Sequence, residues 1–534
     1  MRNALLSLIL FSSTLIYAGQ DPLITRGPYL QAGTETTMVV RWRSSNQSIS
    51  TVKWGTSYNQ QTNSVTDSAA TGEHELKITG LQPFTKYYYS VYEGATQLAG
   101  DDTTYNFITN PVQGTVQPIH MWVIGDMGKA NTSQMRVRDT YWNNIRNNRH
   151  TDVWLWLGDN VYTTGTDQEY QTELFAIYPN QLRNVVSRPA PGNHDYGSVN
   201  FSTNDGPYFQ NFTMTREGEA GGVPSHEEGY YSYNYGNIHF VSLNSEKLSW
   251  FTDSSSAMGT WLKADLAANT QPFVIAYWHQ PPYTRGSHNS DDLFGAMYFM
   301  RNNYNRILER YGVDLVLCGH SHNFERSYLL KGHYGDAASF DPFTMAVSTT
   351  SGKTSLNEAY TKYTTGPNAN QGTVYVVCGN GGSTSGGNSM DHPVMYYGQQ
   401  DSAGFMTIDV NGMQLDAKYY DASGHMNDNF TIIKSTTNPN GIESIERHLN
   451  DLKIYPNPFD KEFKIEFSTT GPHELQIEML DVNGKLIGSY FNGETKAGIN
   501  SLTIQTKNLQ AGNYVVRFKG GNFGEMTRLV TLQK

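Results

Sequence analysis

The sequence is poor in cysteine, in charged residues and in long hydrophobic runs. Its 534 residues include two cysteines, Cys318 and Cys378, too few for a disulfide scaffold or a thiolate zinc site, so a bound metal would be held by oxygen and imidazole. The two cysteines are as compatible with buried thiols as with a disulfide. Charged residues make up 16% of the chain, and 49 acidic against 38 basic residues give a net charge of −11. Without a run of Lys or Arg, such a chain is not expected to bind nucleic acid as its main role.

The start of the chain contains its one membrane-like segment. A positively charged end precedes an apolar run from Ala4 to Tyr17, and Ala18 fits a cleavage site. A run of about 14 residues is too short to span a bilayer, so we predict a secretory signal peptide at residues 1–18. A buried N-terminal helix is the alternative. No later segment is long and apolar enough to span a membrane, which predicts an exported protein without a transmembrane segment.

Residues 24–112 have the pattern of an antiparallel β-sandwich. Short runs alternate apolar and polar residues, as in Thr37–Arg43 and Tyr87–Tyr92, and turn-forming residues separate them. This alternation is typical of strands with one buried face. The segment ITGLQPFTKYYYSVYEG at Ile78–Gly94 resembles the end of a fibronectin type III-like module. We therefore predict an N-terminal β-sandwich domain.

Residues 118–435 contain fully apolar runs instead, which predict strands buried on both faces. The clearest runs are His120–Ile124, Val153–Leu157, Phe273–Tyr277 and Val313–Leu317. Between the first two, Ser133–Asn148 is predicted to form a helix with an inward apolar face. A strand, a helix and a second strand indicate βαβ units of an α/β domain, with helices covering both faces of the sheet. Ligands of such domains lie at the carboxyl ends of the strands.

Five short motifs contain the candidates for chemistry. They are Gly125–Gly128 (GDMG), Gly158–Tyr162 (GDNVY), Gly192–Asp195 (GNHD), Trp278–Tyr283 (WHQPPY) and Gly319–His322 (GHSH). Each is weak alone, but together they bring two Asp, one Asn, one Tyr and three His to one sheet edge. Such donors suit two hard or borderline cations about 3.5–4 Å apart. Because two carboxylates buried without counter-charge would be costly, the motifs predict a dinuclear metal site.

The order of these motifs resembles the calcineurin-like metallophosphoesterases and, within them, the purple acid phosphatases, over roughly residues 25–435. Most metallophosphoesterases have a metal-binding His where this chain has Gly128, whereas Tyr162 stands three residues after Asp159, as in the purple acid phosphatases. The resemblance implies a sandwich of β-sheets flanked by helices. It also implies Fe³⁺ bound by Asp126, Asp159, Tyr162 and His322, and a divalent ion bound by Asp159, Asn193, His279 and His320. A phenolate needs a strongly charged cation to ionise it, which favours Fe³⁺; Zn²⁺, Fe²⁺ and Mn²⁺ stay open for the second ion.

The same resemblance implies an acid phosphatase in which a metal-bound hydroxide attacks a small phosphate monoester. His194, beside Asn193, matches the family's phosphate-contacting histidine, and His288, nine residues after His279, matches a histidine near the leaving group. Plant enzymes often have a second adjacent histidine where this chain has Asn289. Two alternatives stay open: a phosphodiesterase or nucleotidase on the same metal pair, and a surface adhesion module that has lost its metals.

The last part of the chain resembles the C-terminal sorting domain of the type IX secretion system. It follows a Thr/Asn/Pro-rich linker at 436–450 and covers residues 451–534. The matching segments are Leu452–Pro458 (LKIYPNP), Ile477–Gly484 (IEMLDVNG), Leu509–Val515 (LQAGNYV) and a basic final strand at Thr527–Lys534. The resemblance implies a β-sandwich that the secretion machinery reads as an export address, and hence a secreted or cell-surface protein. A carbohydrate-binding or spacer sandwich is the alternative.

Overall fold

The computed structural model describes residues 23–533 apart from 367, 386–388, 437–448, 470, 507–508 and 521–523. The predicted signal peptide and most of the predicted linker lie outside these residues. The chain divides into two units, Met1–Thr436 and Thr437–Lys534, and each is described by itself.

The strands of the first unit fall into an N-terminal group and a central group. The N-terminal strands are β1 Ile24–Gln31, β2 Met38–Gly55, β3 Asn63–Ile78, β4 Lys86–Glu93, β5 Thr96–Ala99 and β6 Asn106–Ile108. The central strands are β7 Ile119–Ile124, β8 Val153–Leu157, β9 Ser187–Ala190, β10 Tyr231–Tyr235, β11 Ile238–Ser242, β12 Phe273–Trp278, β13 Leu315–Cys318, β14 Phe324–Leu330, β15 Ala346–Ser348, β16 Tyr360–Tyr363, β17 Thr373–Cys378, β18 Met395–Gln399, β19 Gly404–Asn411, β20 Gln414–Asp421 and β21 Met426–Ser435.

The helices of the first unit are short and lie between the central strands. They are α1 Thr132–Asp139, α2 Asp167–Glu169, α3 Pro179–Leu182, α4 Pro207–Asn211, α5 Leu248–Phe251, α6 Ala257–Ala268, α7 Ala296–Phe299, α8 Asn305–Arg310 and α9 Pro342–Met345. π-Helical turns at Thr140–Ile145, Tyr170–Phe175 and Met300–Tyr304 continue α1, α2 and α7, and 3₁₀ turns occupy Asp195–Ser198, Ala337–Ser339 and Thr354–Leu356.

The N-terminal strands are joined through the long strand β2. β2 pairs with β3, with β1 through residues 39–44 and with β4 through residues 50–55, all antiparallel. Its alternate residues Val40, Trp42, Val52 and Trp54 are buried in one cluster with side chains of β1, β3, β4 and β6. The half-buried alternation predicted from the sequence is therefore confirmed, and the domain is all-β.

Polar contacts attach this domain to the central one. The Arg188 guanidinium donates to the Gly33 carbonyl at 2.7 Å, and the Tyr89 hydroxyl donates to the Arg183 carbonyl at 2.9 Å. Arg43 forms an ion pair with Asp167 at 2.7 Å. Contacts of this kind fix the N-terminal strands against the central domain.

The central domain contains two sheets. Sheet A has the order β16-β21-β20-β19-β7-β8-β9, and sheet B has the order β10-β11-β12-β13-β17-β14-β15 with β18 beside β14. β7, β8 and β9 are parallel in sheet A, and β11, β12, β13 and β17 are parallel in sheet B. Because parallel strands end at one edge, the segments that follow them meet there.

The two sheets cover each other on one face. Val123 and Leu155 of sheet A share a buried cluster with Ile275 and Leu317 of sheet B. On the outer face of sheet B, Val316 packs in a second cluster with side chains of α6 and α8. The expectation that helices cover both faces of these strands is therefore corrected: a second sheet covers one face. The predicted sandwich of sheets flanked by helices is confirmed.

The helix predicted between β7 and β8 is present. It begins at Thr132 and runs through the π-helical turn to Ile145, with the Asn131 side chain accepting the Gln134 N–H at its start. The Tyr141 ring stacks on Trp122 of β7 with the ring centres 4.2 Å apart, and Trp122 stacks on Trp154 of β8 with the ring centres 4.5 Å apart. This aromatic stack covers the outer face of sheet A and fixes the two strands whose ends carry the first motifs.

The two cysteines are free thiols buried on opposite sides of sheet B. Cys318 lies opposite Val377 in the pairing of β13 with β17. Because side chains alternate between the two faces of a sheet, the next residue, Cys378, points to the face opposite that of Cys318. Cys318 packs in the cluster that contains α6 and α8, whereas Cys378 packs only in the cluster between the sheets. Of the two alternatives, the structure shows buried thiols.

Removing a buried ion pair should destabilise the first unit strongly. Arg326 donates to both oxygens of Asp428 at 2.6 and 3.0 Å, and both side chains are buried. We expect Arg326→Met to lower the free energy of unfolding by about 3–5 kcal/mol, because Asp428 is left buried and Lys353, 3.5 Å away, offsets only part of its charge. The measurement is urea unfolding of the unit.

The exposed pair Arg216–Glu217, with an N–O distance of 3.4 Å, provides the control. Arg216→Met should change the same free energy by about 1 kcal/mol or less. If Arg326→Met and Arg216→Met lowered the free energy of unfolding by the same amount, the buried pair would not be the major contribution to stability expected here.

The second unit is also built from strands. They are β22 Asn450–Tyr455, β23 Glu462–Thr469, β24 Glu474–Asp481, β25 Leu486–Glu494, β26 Gly498–Gln505, β27 Gly512–Gly520 and β28 Gly524–Leu532. They form the sheets β22-β23-β26 and β25-β24-β27-β28, and Phe463 and Ile465 of the first share a buried cluster with Ile477 and Phe518 of the second. The predicted C-terminal β-sandwich is confirmed.

Candidate metal centre

Two buried aspartates follow the parallel strands of sheet A. Asp126 comes two residues after β7 and Asp159 two residues after β8, and their exposed fractions are 0% and 2%. Both have a left-handed backbone, with φ of 55° and 47°. Such conformations are uncommon outside glycine and cluster at functional sites. The chain turns sharply at both positions, which directs the carboxylates to the edge of the sheet.

One group of donors lies around the imidazole of His279, directly after β12. Its Nε2 atom is 3.3 Å from Asp159 Oδ2, 3.1 Å from Asn193 Oδ1 and 3.2 Å from His320 Nδ1. Its Nδ1 donates to the Leu157 carbonyl at 2.9 Å, which leaves the Nε2 lone pair directed at the other donors. The ligand atoms of Asp159, His279 and His320 all lie within 4.8 Å of one another. Together with Asn193, these three residues could hold one metal ion.

A second group lies around the Tyr162 hydroxyl. It is 3.1 Å from Asp126 Oδ1 and 3.0 Å from His322 Nε2, and those two atoms are 3.5 Å apart. The negative charge of Asp159 also acts on Tyr162 and raises its pKa, so this carboxylate borders both groups. The arrangement brings together all seven residues that the sequence nominated as metal ligands.

The charges of the site fit bound cations. Among the described residues, Asp126 and Asp159 form ion pairs with histidines but with no Lys or Arg. The pKa of Tyr162 lies well above its usual value because the phenol is buried and faces both carboxylates. Burial, together with His279 and His288, holds the pKa of His320 well below its usual value, so that imidazole is neutral, as a metal ligand must be. A phenolate here requires a strongly positive partner.

Glycines allow the close approach of these segments. A Cβ atom on Gly128 would lie 2.0 Å from the Asn160 carbonyl oxygen, so this backbone has no space for a His side chain at that position. A Cβ atom on Gly192 would lie 2.2 Å from Asp159 Oδ1. A side chain at Gly192 would displace Asp159, and a side chain at Gly128 would displace Asn160 and Val161, which lie between Asp159 and Tyr162 in the chain.

The two histidines predicted to act on the substrate border the donor groups. His194 Nδ1 is 2.6 Å from the Thr163 carbonyl, and its Nε2 is 3.9 Å from Asp159 Oδ2. The exposed ring of His288 stacks on His320, with the ring centres 4.0 Å apart. Burial and His322 lower the pKa of His288. Both imidazoles can therefore reach a ligand bound at the donor groups.

The sequence reasoning missed two neighbours of the site. The buried Asp195 accepts hydrogen bonds from Gly192 N–H, the Asn160 amide and the Tyr170 hydroxyl, and burial and Asp159 raise its pKa to about 7. The Lys129 ammonium lies 4.3 Å from the centre of the Tyr162 ring. Asp195 is the last residue of the GNHD motif, so the sequence did contain a signal that could have identified it. Nothing in the sequence linked Lys129 to Tyr162.

Comparison with known proteins assigns domains to three parts of the chain. The calcineurin-like phosphoesterase family matches residues 119–324, the purple acid phosphatase N-terminal domain matches residues 27–109, and the secretion system C-terminal sorting domain matches residues 453–532. The sorting domain indicates type IX export to the cell surface or the exterior. No described helix is long and apolar enough to cross a membrane.

Curated relatives and a solved structure agree with these assignments. Purple acid phosphatase 15 of Arabidopsis thaliana is 29% identical over 48% of this chain and 49% of its own length. Purple acid phosphatase 21 of the same plant is 30% identical over 47% of this chain and 53% of its own length. The chain thus spans about half the length of these relatives. The structure of purple acid phosphatase PPD1 from yellow lupin (Lupinus luteus) seeds matches with a TM-score of 0.60 at 18% identity, covering 77% of this chain and 75% of that one, which shows the shared fold.

Proposed function

We propose that this chain, which carries the domains of a purple acid phosphatase-like metallophosphoesterase and a secretion sorting domain, is an exported metal-dependent acid phosphatase acting on small phosphate monoesters. The observation that carries the proposal is the convergence of Asp126, Asp159 and Tyr162 with three imidazoles at one sheet edge. A buried phenol between two carboxylates is costly without a cation, and a dinuclear site removes this cost.

The donor set supports one ion of high charge and one divalent ion. Asp126, Asp159, Tyr162 and His322 would hold Fe³⁺, and Asp159, Asn193, His279 and His320 would hold Zn²⁺, Fe²⁺ or Mn²⁺. When bound, these ions supply a positive field that acidifies water and neutralises the charge of a phosphate group.

The remaining steps belong to side chains of the chain itself. Asp159 is held for bridging because its Oδ1 accepts the His194 N–H at 2.8 Å. His194 donates from Nδ1 to the Thr163 carbonyl, which fixes the ring with Nε2 3.9 Å from Asp159 Oδ2, where it can contact a phosphate group held at the donor groups. His288 lies at the exposed rim, where it can give a proton to the leaving oxygen. Glu325 accepts the Arg285 N–H at 3.0 Å and thereby holds the loop that carries His288.

Comparison of two chromogenic esters tests this function. We expect kcat/KM for p-nitrophenyl phosphate to exceed that for bis(p-nitrophenyl) phosphate by at least about tenfold, because the cationic site favours a dianionic phosphate over a monoanionic one. The measurement is initial-rate kinetics on the metal-loaded protein. The reverse preference would support a phosphodiesterase or nucleotidase on the same donors.

The adhesion-module alternative requires a site without metals. The complete donor set argues against it. Elemental analysis that finds less than one iron per chain after reconstitution would favour that alternative over the enzyme.

A further inference from the structure

A polar cavity lies near the amino-terminal end of β8, whereas the candidate metal centre lies at the carboxyl end of that strand. Its volume is about 440 Å³, and it is bordered by Lys86 and Asn106 of the N-terminal domain and by Arg146, His150 and Arg183 of the central domain. His150 precedes the start of β8, whereas Asp159 follows its end. At roughly 3.3 Å per residue, this five-residue strand separates the two regions by about 17 Å.

The cavity is positively charged although the protein is acidic. Its lining includes Lys86, Arg146, Arg149 and Arg183 and no Asp or Glu. Arg149 forms an ion pair with Asp409 at 2.8 Å, but across the described part of the chain no carboxylate pairs with the other three. Three cationic groups thus face one space without a carboxylate at ion-pair distance, and Asp102 acts on Arg183 only from farther away. A buried or half-buried cluster of like charges is unfavourable unless an anion joins it.

The guanidinium groups are held in place by contacts that leave their charge intact. Arg146 donates from Nε to the Trp142 carbonyl at 2.7 Å, and its guanidinium carbon lies 3.8 Å from the centre of the Trp142 ring. Arg183 lies 4.7 Å from the centre of the Tyr105 ring, and its buried Nε has no hydrogen-bond partner among the described residues. Such pre-positioned guanidinium groups are suited to oxyanions.

The neighbouring His150 adds no further positive charge to the cavity at neutral pH. Burial, together with Lys86 and Arg146, lowers the pKa of His150 to about 4. The imidazole is therefore neutral at neutral pH and adds no charge to the cluster. The amide of Asn106 lines the space as well and can donate to an oxyanion.

We propose that this cavity binds a small phosphate anion with several negative charges, of the size of diphosphate. Three cations without an ion-paired carboxylate match such an anion better than a singly charged one, and the volume lies within the usual range for small-ligand sites. Because Lys86 belongs to the N-terminal domain and the arginines to the central one, the bound anion connects the two domains. The proposal does not depend on the metal centre.

Titration calorimetry with methylenediphosphonate, which resists hydrolysis, tests the proposal on the metal-loaded full-length chain. We expect binding to a site whose Kd rises at least about tenfold in Lys86→Gln and in Arg183→Gln, with kcat for p-nitrophenyl phosphate unchanged. Raised NaCl should weaken this binding, as expected for a charge-driven site. Lys86 is exposed at the start of β4, so its substitution leaves the fold intact.

Lys77→Gln, which removes an exposed positive charge from β3, provides the matched control and should leave the affinity unchanged. Binding that is equal in wild type, Lys86→Gln and Arg183→Gln would overturn the proposal, because the anion would then occupy only the metal centre. A loss of affinity in Lys77→Gln as large as in Lys86→Gln would overturn it too, since the anion would then respond to the overall charge of the protein and not to the cavity.

Discussion

Asp159→Asn should lower kcat for p-nitrophenyl phosphate by about 10³-fold or more. Asp159 is the carboxylate that borders both donor groups: its Oδ2 atom lies 3.3 Å from His279 Nε2, and its charge helps to raise the pKa of Tyr162. An amide keeps the shape of the side chain but removes its charge and one oxygen donor. The metal content of the purified protein should fall from two ions to one or none per chain. Steady-state kinetics and elemental analysis on the same sample measure both effects.

Asp253→Asn is the matched control, since Asp253 is exposed and its carboxylate accepts hydrogen bonds from the neighbouring Ser255. It should keep full activity and two metal ions. An Asp159→Asn protein that retains both ions and wild-type kcat would show that the carboxylate is not the bridge, and the dinuclear proposal would fail.

Tyr162→Phe should remove the visible colour of the oxidised protein. A phenolate bound to Fe³⁺ gives a charge-transfer band, and the hydroxyl of Tyr162 lies between Asp126 and His322 at 3.1 and 3.0 Å. We expect the iron-loaded wild-type protein to be violet and the variant to be colourless at the same iron content. An absorption spectrum recorded beside an iron determination makes the measurement.

The half-exposed Tyr58 of the N-terminal domain supplies the control, because Tyr58→Phe should keep the violet band. A band that persists in Tyr162→Phe would remove Tyr162 from the ligand set. It would leave the other donors to be assigned again.

The parts of the site that the sequence predicted are those fixed by single strands. The apolar runs of β7, β8, β12 and β13 place Asp126, Asp159, His279 and His320 at strand ends, and parallel pairing then brings strand ends together. The helix at α1 followed from its apolar spacing. The hydrophobic pattern of a single strand or helix was therefore sufficient to predict the residues whose position depends on that element alone.

The remaining features depend on partners far apart in the chain. An apolar strand does not reveal whether a helix or a second sheet covers it, so the packing of sheet A on sheet B followed from the family resemblance and not from the apolar pattern. The opposite faces of Cys318 and Cys378 depend on a one-residue register between β13 and β17. Lys86, Arg146 and Arg183 are separated by up to about a hundred residues, and only the docking of two domains brings them to one cavity.

The proposed ligand residues divide between the two sheets. Asp126, Asp159 and Asn193 follow strands of sheet A, whereas His279 and His320 follow strands of sheet B. Under the proposed function, ions bound between the sheets would connect them, so metal affinity and the stability of the sandwich would be linked. A substitution deep between the sheets would then weaken metal retention without changing a ligand, and a chelator would lower the stability of the buried core.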